Sequence, residues 1–145
     1  MSHMVSGEIE IKDIDSMQEA CESLGLIFRR GATTFEWFGI WVNDYHGKDA
    51  AYRKIDPKTF GKCEHAIKIP DVLYEIGLVR DKEGKLRLAY DKYDEQIENN
   101  LGVGVYKLVQ AYAEKVAEKS LRRKGYSITK TVQSDGKVVL RAIRQ

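Results

Sequence analysis

The sequence predicts an α+β domain: a mostly antiparallel sheet of about five to six strands packed against two helices, with a long loop inserted near the middle. Two observations predict the layers. Apolar residues recur at three- and four-residue steps from Ile14 to Leu24 and again from Val105 to Val116, which gives each segment one apolar stripe. Short runs elsewhere alternate apolar with polar residues or are rich in aromatic and branched side chains, the pattern of half-buried strands. A third observation sets the insert apart. Residues 43–62 hold Gly47, Pro57 and Gly61 with no sustained period, so they read as a loop.

Each element follows from local chemistry. Ile9 and Ile11 alternate with Glu8, Glu10 and Lys12, predicting a short first strand. Asp13 or Asp15 is placed to cap the first helix, whose stripe of Ile14, Met17, Ala20, Cys21 and Leu24 runs until Gly25 ends it. Leu26 to Arg30 and Thr34 to Val42 are expected to pair across the turn Gly31-Ala32-Thr33. Tyr74, Ile76 and Leu78 alternate, as do Leu86, Leu88 and Tyr90, and Asp81-Lys82-Glu83-Gly84 between them has turn chemistry. The acidic run Asp91, Asp94, Glu95 and Glu98 lacks a calcium-loop spacing and is expected to be a solvated linker. A turn-rich stretch from Asn99 to Gly104 then precedes a helix over about Val105 to Lys124, ended by Arg122, Arg123, Lys124 and the capping Gly125. A second hairpin, Tyr126 to Val132 and Val138 to Ile143, closes around Ser134-Asp135-Gly136-Lys137.

Composition bounds the class. The 145 residues are 43% hydrophobic, enough for one domain with its own core, residues 1–145. No apolar run approaches the ~18 residues that span a bilayer, and the first residues lack a secretory pattern, so a cytoplasmic protein is expected. Two cysteines, Cys21 and Cys63, form no disulfide framework or zinc-ribbon spacing, and reduced thiols are expected. Net charge is only +2 but unevenly spread: residues 1–28 carry six acids against Lys12, while residues 115–145 carry nine basic groups against Glu118 and Asp135. That asymmetry can bring the two ends together, guide association or present a basic face to phosphates, with a solvated helix face as the plainer reading.

Aromatic residues concentrate in one place. Seven of fourteen lie between Phe35 and Phe60, among them Trp37 and Trp41. Arg29, Arg30, His46, Lys48, Arg53, Lys62 and His65 lie near them in sequence. Rings beside cations suit a planar anion, which points to a small ligand, a nucleotide or single-stranded nucleic acid. The candidate ligand-binding residues are Arg29, Arg30, Trp37, Trp41, Tyr45, His46, Lys48, Arg53, Lys62 and His65. Trp37 or Trp41 would stack, Arg29, Arg30, Arg53 and Lys62 would neutralise charge, and the loop around Tyr45 and His46 would close. The plain alternative is that these rings are core. Cys63 and His65, with His46 and Asp44, also supply metal-ligand chemistry or a thiol nucleophile, but not the four ligands of a structural zinc site. Gly102-Val103-Gly104 reads as a turn and helix start, with a phosphate cradle as the lesser reading, because it lacks the ending of a Walker loop. No cofactor, metal or catalytic residue is assigned.

A family resemblance adds to these readings. Met1-Ser2-His3 with an apolar fourth residue is followed by a strand and a helix ending Leu24-Gly25-Leu26. Tyr74-Glu75-Ile76-Gly77, Leu108 to Tyr112 with an alanine-rich continuation, and Gly125-Tyr126-Ser127 ahead of an Asp135-Gly136 hairpin come next. Together they resemble the hypothetical chloroplast reading frame thirty-five family, a domain of unknown function found in plastids, bacteria and phages. Trp37-Phe38-Gly39 and Gly61-Lys62-Cys63 with His65 resemble its phage and bacterial branch. Members occur near an AAA-type ATPase, ferredoxin-like proteins or small companion domains, so the resemblance implies an accessory role and an ATPase partner. The family brings no established catalytic residues.

These strands of reasoning converge on a non-enzymatic accessory binding protein of bacterial or phage type that captures an anionic small molecule or docks on an ATPase. The alternatives are a metal- or thiol-dependent enzyme using Cys63, His65 and His46, a single-strand nucleic-acid binder, or a homo-oligomer whose aromatic strand is the interface.

Overall fold

Period-two alternation and two amphipathic stripes yield most of the elements they predict. The computed structural model describes residues 4–37, 61–92 and 95–144. In chain order these form β1 (Met4–Ser6), α1 (Ile14–Ser23), β2 (Ile27–Arg30), β3 (His65–Lys68), β4 (Ile76–Arg80) and β5 (Leu86–Asp91). Then come α2 (Gln96–Leu101), a tight helical turn (Val103–Val105), α3 (Tyr106–Arg123), β6 (Tyr126–Val132) and β7 (Val138–Arg144). The fold class is α+β. A five-stranded antiparallel sheet runs in the order β1-β5-β4-β3-β2, and β6-β7 form a separate two-stranded ribbon.

The sheet is covered by helices on the face that carries Ile67, Ile76, Leu78, Leu86, Leu88 and Tyr90. α1 contributes Met17, Ala20 and Cys21 to this core and α3 contributes Leu108 and Tyr112. Burying a side chain such as Leu108 stabilises the domain by about 2 kcal/mol. Asp13 caps α1 by accepting the Ser16 amide at 3.1 Å. The Tyr112 hydroxyl accepts the amides of Lys12 and Asp13 at 3.1 and 3.2 Å, so α3 also fixes the entry to α1. Lys119 bonds the Asp13 carboxylate at 2.9 Å. The acidic beginning and basic end of the chain therefore meet along the α1–α3 contact.

Three expectations change. The first strand lies at Met4–Ser6, not at Ile9 and Ile11. The Gly7 amide reaches Leu88 O and the Ile11 amide reaches Leu86 O, so four residues on this side advance against two on β5. The surplus bends outward at Glu8 and Ile9, where Arg87 donates to the Glu8 carbonyl at 2.6 Å.

β2 pairs with β3, and among the described residues Thr34 to Trp37 form no ladder with it. Thr34 makes one isolated bridge with Lys62, and residues 38–42 lie outside the described residues. After the turn at Gly31, Phe35 crosses the sheet face opposite the helices and is 4% exposed. A Cβ on Gly77 would fall inside its ring, so this glycine makes room for the aromatic side chain. Gathering Phe35, Met4, Ala66, Val79 and Ala89 into a second apolar cluster wins over extending a ladder from residue 34.

Among its described residues the acidic run is solvated at Glu95 but not throughout. Asp91 is buried in β5, and Glu98 lies on a short helix, α2, that buries Ile97 and Leu101. Glu98 accepts the Tyr90 hydroxyl at 2.6 Å and the Gly104 amide at 2.9 Å. The glycine turn thus already receives an anion from within the chain, which displaces the phosphate-cradle reading.

Candidate functional site

Strand register assembles half of the predicted site at one end of β2 and β3. Arg30 stands opposite His65 and Arg29 opposite Ala66, while the Thr34–Lys62 bridge continues the same seam. The Phe35 amide donates to Gly61 O at 2.9 Å, and the Cys63 amide to Thr33 O at 3.0 Å. Gly61 adopts φ +86° and lies against the Trp37 indole so closely that any Cβ there would collide with the ring. Alternation divides them between the two faces: Arg29 and Trp37 lie with Glu75 and the second apolar cluster, whereas Arg30 and His65 lie on the helix side with Asp15, Gln18 and Phe28. Trp41, Tyr45, His46, Lys48 and Arg53 lie outside the described residues, as does most of the 43–62 loop.

The two arginines have carboxylate partners. Arg29 donates to both oxygens of Glu75 at 2.7 Å, and Arg30 donates to Asp15 at 2.8 Å and Gln18 at 3.1 Å. Their side chains remain 41% and 51% exposed, so each guanidinium keeps an open edge to solvent. Glu75 also accepts the Glu36 amide at 3.0 Å, and its own amide donates to Glu36 O at 2.9 Å. This carboxylate fastens the segment leading to Trp37 onto the sheet.

Cys63 and His65 are held by successive residues of one turn, not by each other. The Cys63 thiol donates to Ala32 O at 3.2 Å, and His65 Nδ1 accepts the Gly31 amide at 2.9 Å. Burial pushes the Cys63 thiol up to about 11, so the thiol is protonated at neutral pH. The His65 ring stacks on Phe28 with centroids 5.6 Å apart. Burial, and then the neighbouring Arg30 charge, hold the imidazole below its usual range. Nδ1 is thus a fixed acceptor. Among the described residues, no group of three or more His, Cys, Asp or Glu side chains is positioned to hold a metal ion. The metal reading that includes His46 falls outside those residues.

Sequence reasoning missed Glu75, Glu36 and Asp15, which fix the arginines and the path to Trp37. A signal for Glu75 exists. It stands between Tyr74 and Ile76, where alternation turns its side chain away from the helix-covered face, yet it is only 3% exposed. A buried acid at the entry to a strand calls for a cation, and Arg29 supplies one.

No protein-family model, curated protein or solved structure matches this chain. No helix among the described residues is long and apolar enough to cross a membrane.

Proposed function

We propose that this is a non-enzymatic accessory binding protein that takes an anionic small molecule, such as a nucleotide, at the end of β2 and β3. One observation supports the reading: strand register and the Thr34–Lys62 bridge bring Arg29, on the same sheet face as Trp37, and Lys62 to the sheet edge that leads to the indole. The indole is the stacking surface and Arg29 with Lys62 meets negative charge, while Arg30 and His65 join the proposal through their place at the same strand ends. Trp41, Tyr45, His46, Lys48 and Arg53 join the proposal through their place in the sequence. The protonated Cys63 thiol and the occupied Nδ1 of His65 favour binding over nucleophilic catalysis. Because both arginines already hold carboxylates, selectivity falls to stacking more than to net charge. The family resemblance adds an AAA-type ATPase as a partner that such a ligand would link to this protein.

Calorimetric titration with adenine and guanine nucleotides tests this against alanine variants at Arg30, Trp37, Trp41 and Arg53. Saturable binding is expected, weakened roughly tenfold where a stacking ring is lost. Absence of binding by every nucleotide, or equal affinity in all four variants, removes the reading.

A further inference from the structure

The main sheet ends at β1, and the helices do not close over this edge. Val5 and Tyr90 stand opposite each other on the helix-covered face, yet Val5, Ile9 and Val109 are only half-buried against the core. Between them and the start of α3 lies an open cavity of about 420 Å³, within the range of about 300 to 1,000 Å³ that small-molecule sites occupy. Val103 and Tyr106 form its outer wall and are 78% and 54% exposed. A groove that shares Lys92, Glu98 and Val103 continues it past Glu95 and Asn99.

Backbone strain holds this wall in place. Val105 adopts φ +51°, a left-handed conformation that a β-branched residue rarely takes, and its side chain is wholly buried. The turn leaves Val103 before it and Tyr106 after it exposed, and Glu98 ties it down by accepting the Gly104 amide at 2.9 Å. The Tyr106 ring fills the space that a Cβ on Gly102 would take, which seats it at the cavity rim. Strained residues of this kind concentrate at ligand clamps.

The polar lining selects the sign of the ligand. Glu8, Glu95 and Glu98 stand against Lys92 alone, in a chain that is +2 overall. Burial opposes ionisation of Glu98, but bonds from the Tyr90 hydroxyl, the Gly104 amide and Lys92 outweigh it and hold the carboxyl below its usual range. An incoming anion would meet three carboxylates and a lysine already 3.4 Å from one of them. A cation with an aliphatic body matches every part: the apolar wall takes the body, the open Tyr106 ring attracts the charge, and the acids complete its neutralisation.

We infer that the cavity at the β1 edge binds an aliphatic ammonium ion, with the chain against Val5, Ile9 and Val109 and the ammonium between Tyr106 and the acidic mouth. β1 and β2 are opposite edges of the sheet, so this site does not depend on the nucleotide reading.

Titration of the nitrogen-15-labelled full chain with hexylammonium, 1-hexanol and hexanoate tests this at neutral pH, because the three probes share a chain and differ in charge. Saturable amide shifts are expected at Val5, Tyr90 and residues 103–109, with hexylammonium bound roughly tenfold more tightly than either of the others. Tyr106→Ala should weaken hexylammonium roughly tenfold by removing the ring. E8Q/E95Q should narrow its advantage over hexanol roughly threefold, as should added salt, whereas Glu83→Gln in the β4–β5 turn should change nothing. All these side chains are exposed, so each variant should keep the wild-type melting temperature. The proposal is overturned by no saturable shift with hexylammonium, or by shifts confined to surfaces away from β1 and the start of α3. Hexanol or hexanoate binding as tightly, or Tyr106→Ala binding like wild type, also overturns it.

Discussion

Arg29 and Glu75 join the edge of the sheet to its opposite face: one guanidinium nitrogen of Arg29 lies 2.7 Å from both carboxylate oxygens of Glu75. The partners differ in setting. Glu75 is 4% exposed in its side chain and Arg29 is 41% exposed, so the acid depends on the pair more than the base does. Replacing Arg29 by Met strands a buried carboxylate, with an expected loss of about 1 to 2 kcal/mol after allowing for the solvent around Arg29. Glu75→Gln keeps an acceptor for the Glu36 amide and should lose less. Urea denaturation measures both, and a neutral Arg29→Met would show that the ion pair contributes nothing to stability.

Gly77 tests the crossing of Phe35. Because a Cβ at Gly77 would enter the Phe35 ring, Gly77→Ala should destabilise the domain by about 1 to 3 kcal/mol through overpacking. Phe35→Leu should relieve part of that loss when the two substitutions are combined. A strictly additive double mutant would contradict the contact.

Acid stability should report on Asp13 and His65 separately. The hydrogen bond from Lys119 is the largest influence on the Asp13 carboxyl, which falls from 3.8 to about 2. A depressed folded value means that the Asp13–Lys119 contribution is complete above about pH 4 and lost as pH falls through about 2. Lys119→Met should flatten that part of the profile. His65, held below its ordinary 6.5, contributes stability that is complete above that pH and declines as acid protonates Nδ1 and breaks the Gly31 bond. Titration of the His65 ring by nuclear magnetic resonance should place its midpoint below 6.5, and a midpoint above it would contradict the assigned acceptor.

Thiol reactivity should be low in the folded protein. Burial raises Cys63 to about 11 and Cys21 to about 12, and Cys21 is wholly buried. Alkylation at pH 8 should therefore be far slower than for free cysteine until denaturant opens both sites. Fast modification of Cys63 alone would reveal a thiolate and revive the enzyme reading.

The elements with strong local periodicity were legible in the sequence, and the long-range pairings were not. α1, the β4–β5 hairpin, α3 and the β6–β7 hairpin follow from stripes, alternation and turn residues that act within a few positions. The partner of β2 depends on residues that return only at His65, more than thirty positions later, and no local rule supplies that register. Ile9 and Ile11 alternate as a strand would, but Arg87 takes the Glu8 carbonyl just before them, where the chain bends. At the candidate site, sequence proximity placed Arg29, Arg30, Lys62 and His65 near the ends of β2 and β3, but it could not show that alternation sets Arg30 and His65 on the opposite face from Arg29 and Trp37. It could not show that Arg29 and Arg30 already had acidic partners, because Glu75 and Asp15 are distant along the chain.

The most direct measurement is a nucleotide titration of uniformly nitrogen-15-labelled protein, followed residue by residue in its amide and indole resonances. Binding at the end of β2 and β3 predicts saturable shifts at Gly31, Lys62, His65 and the Trp37 indole. Shifts confined to other surfaces, or no shifts with any nucleotide, would contradict it.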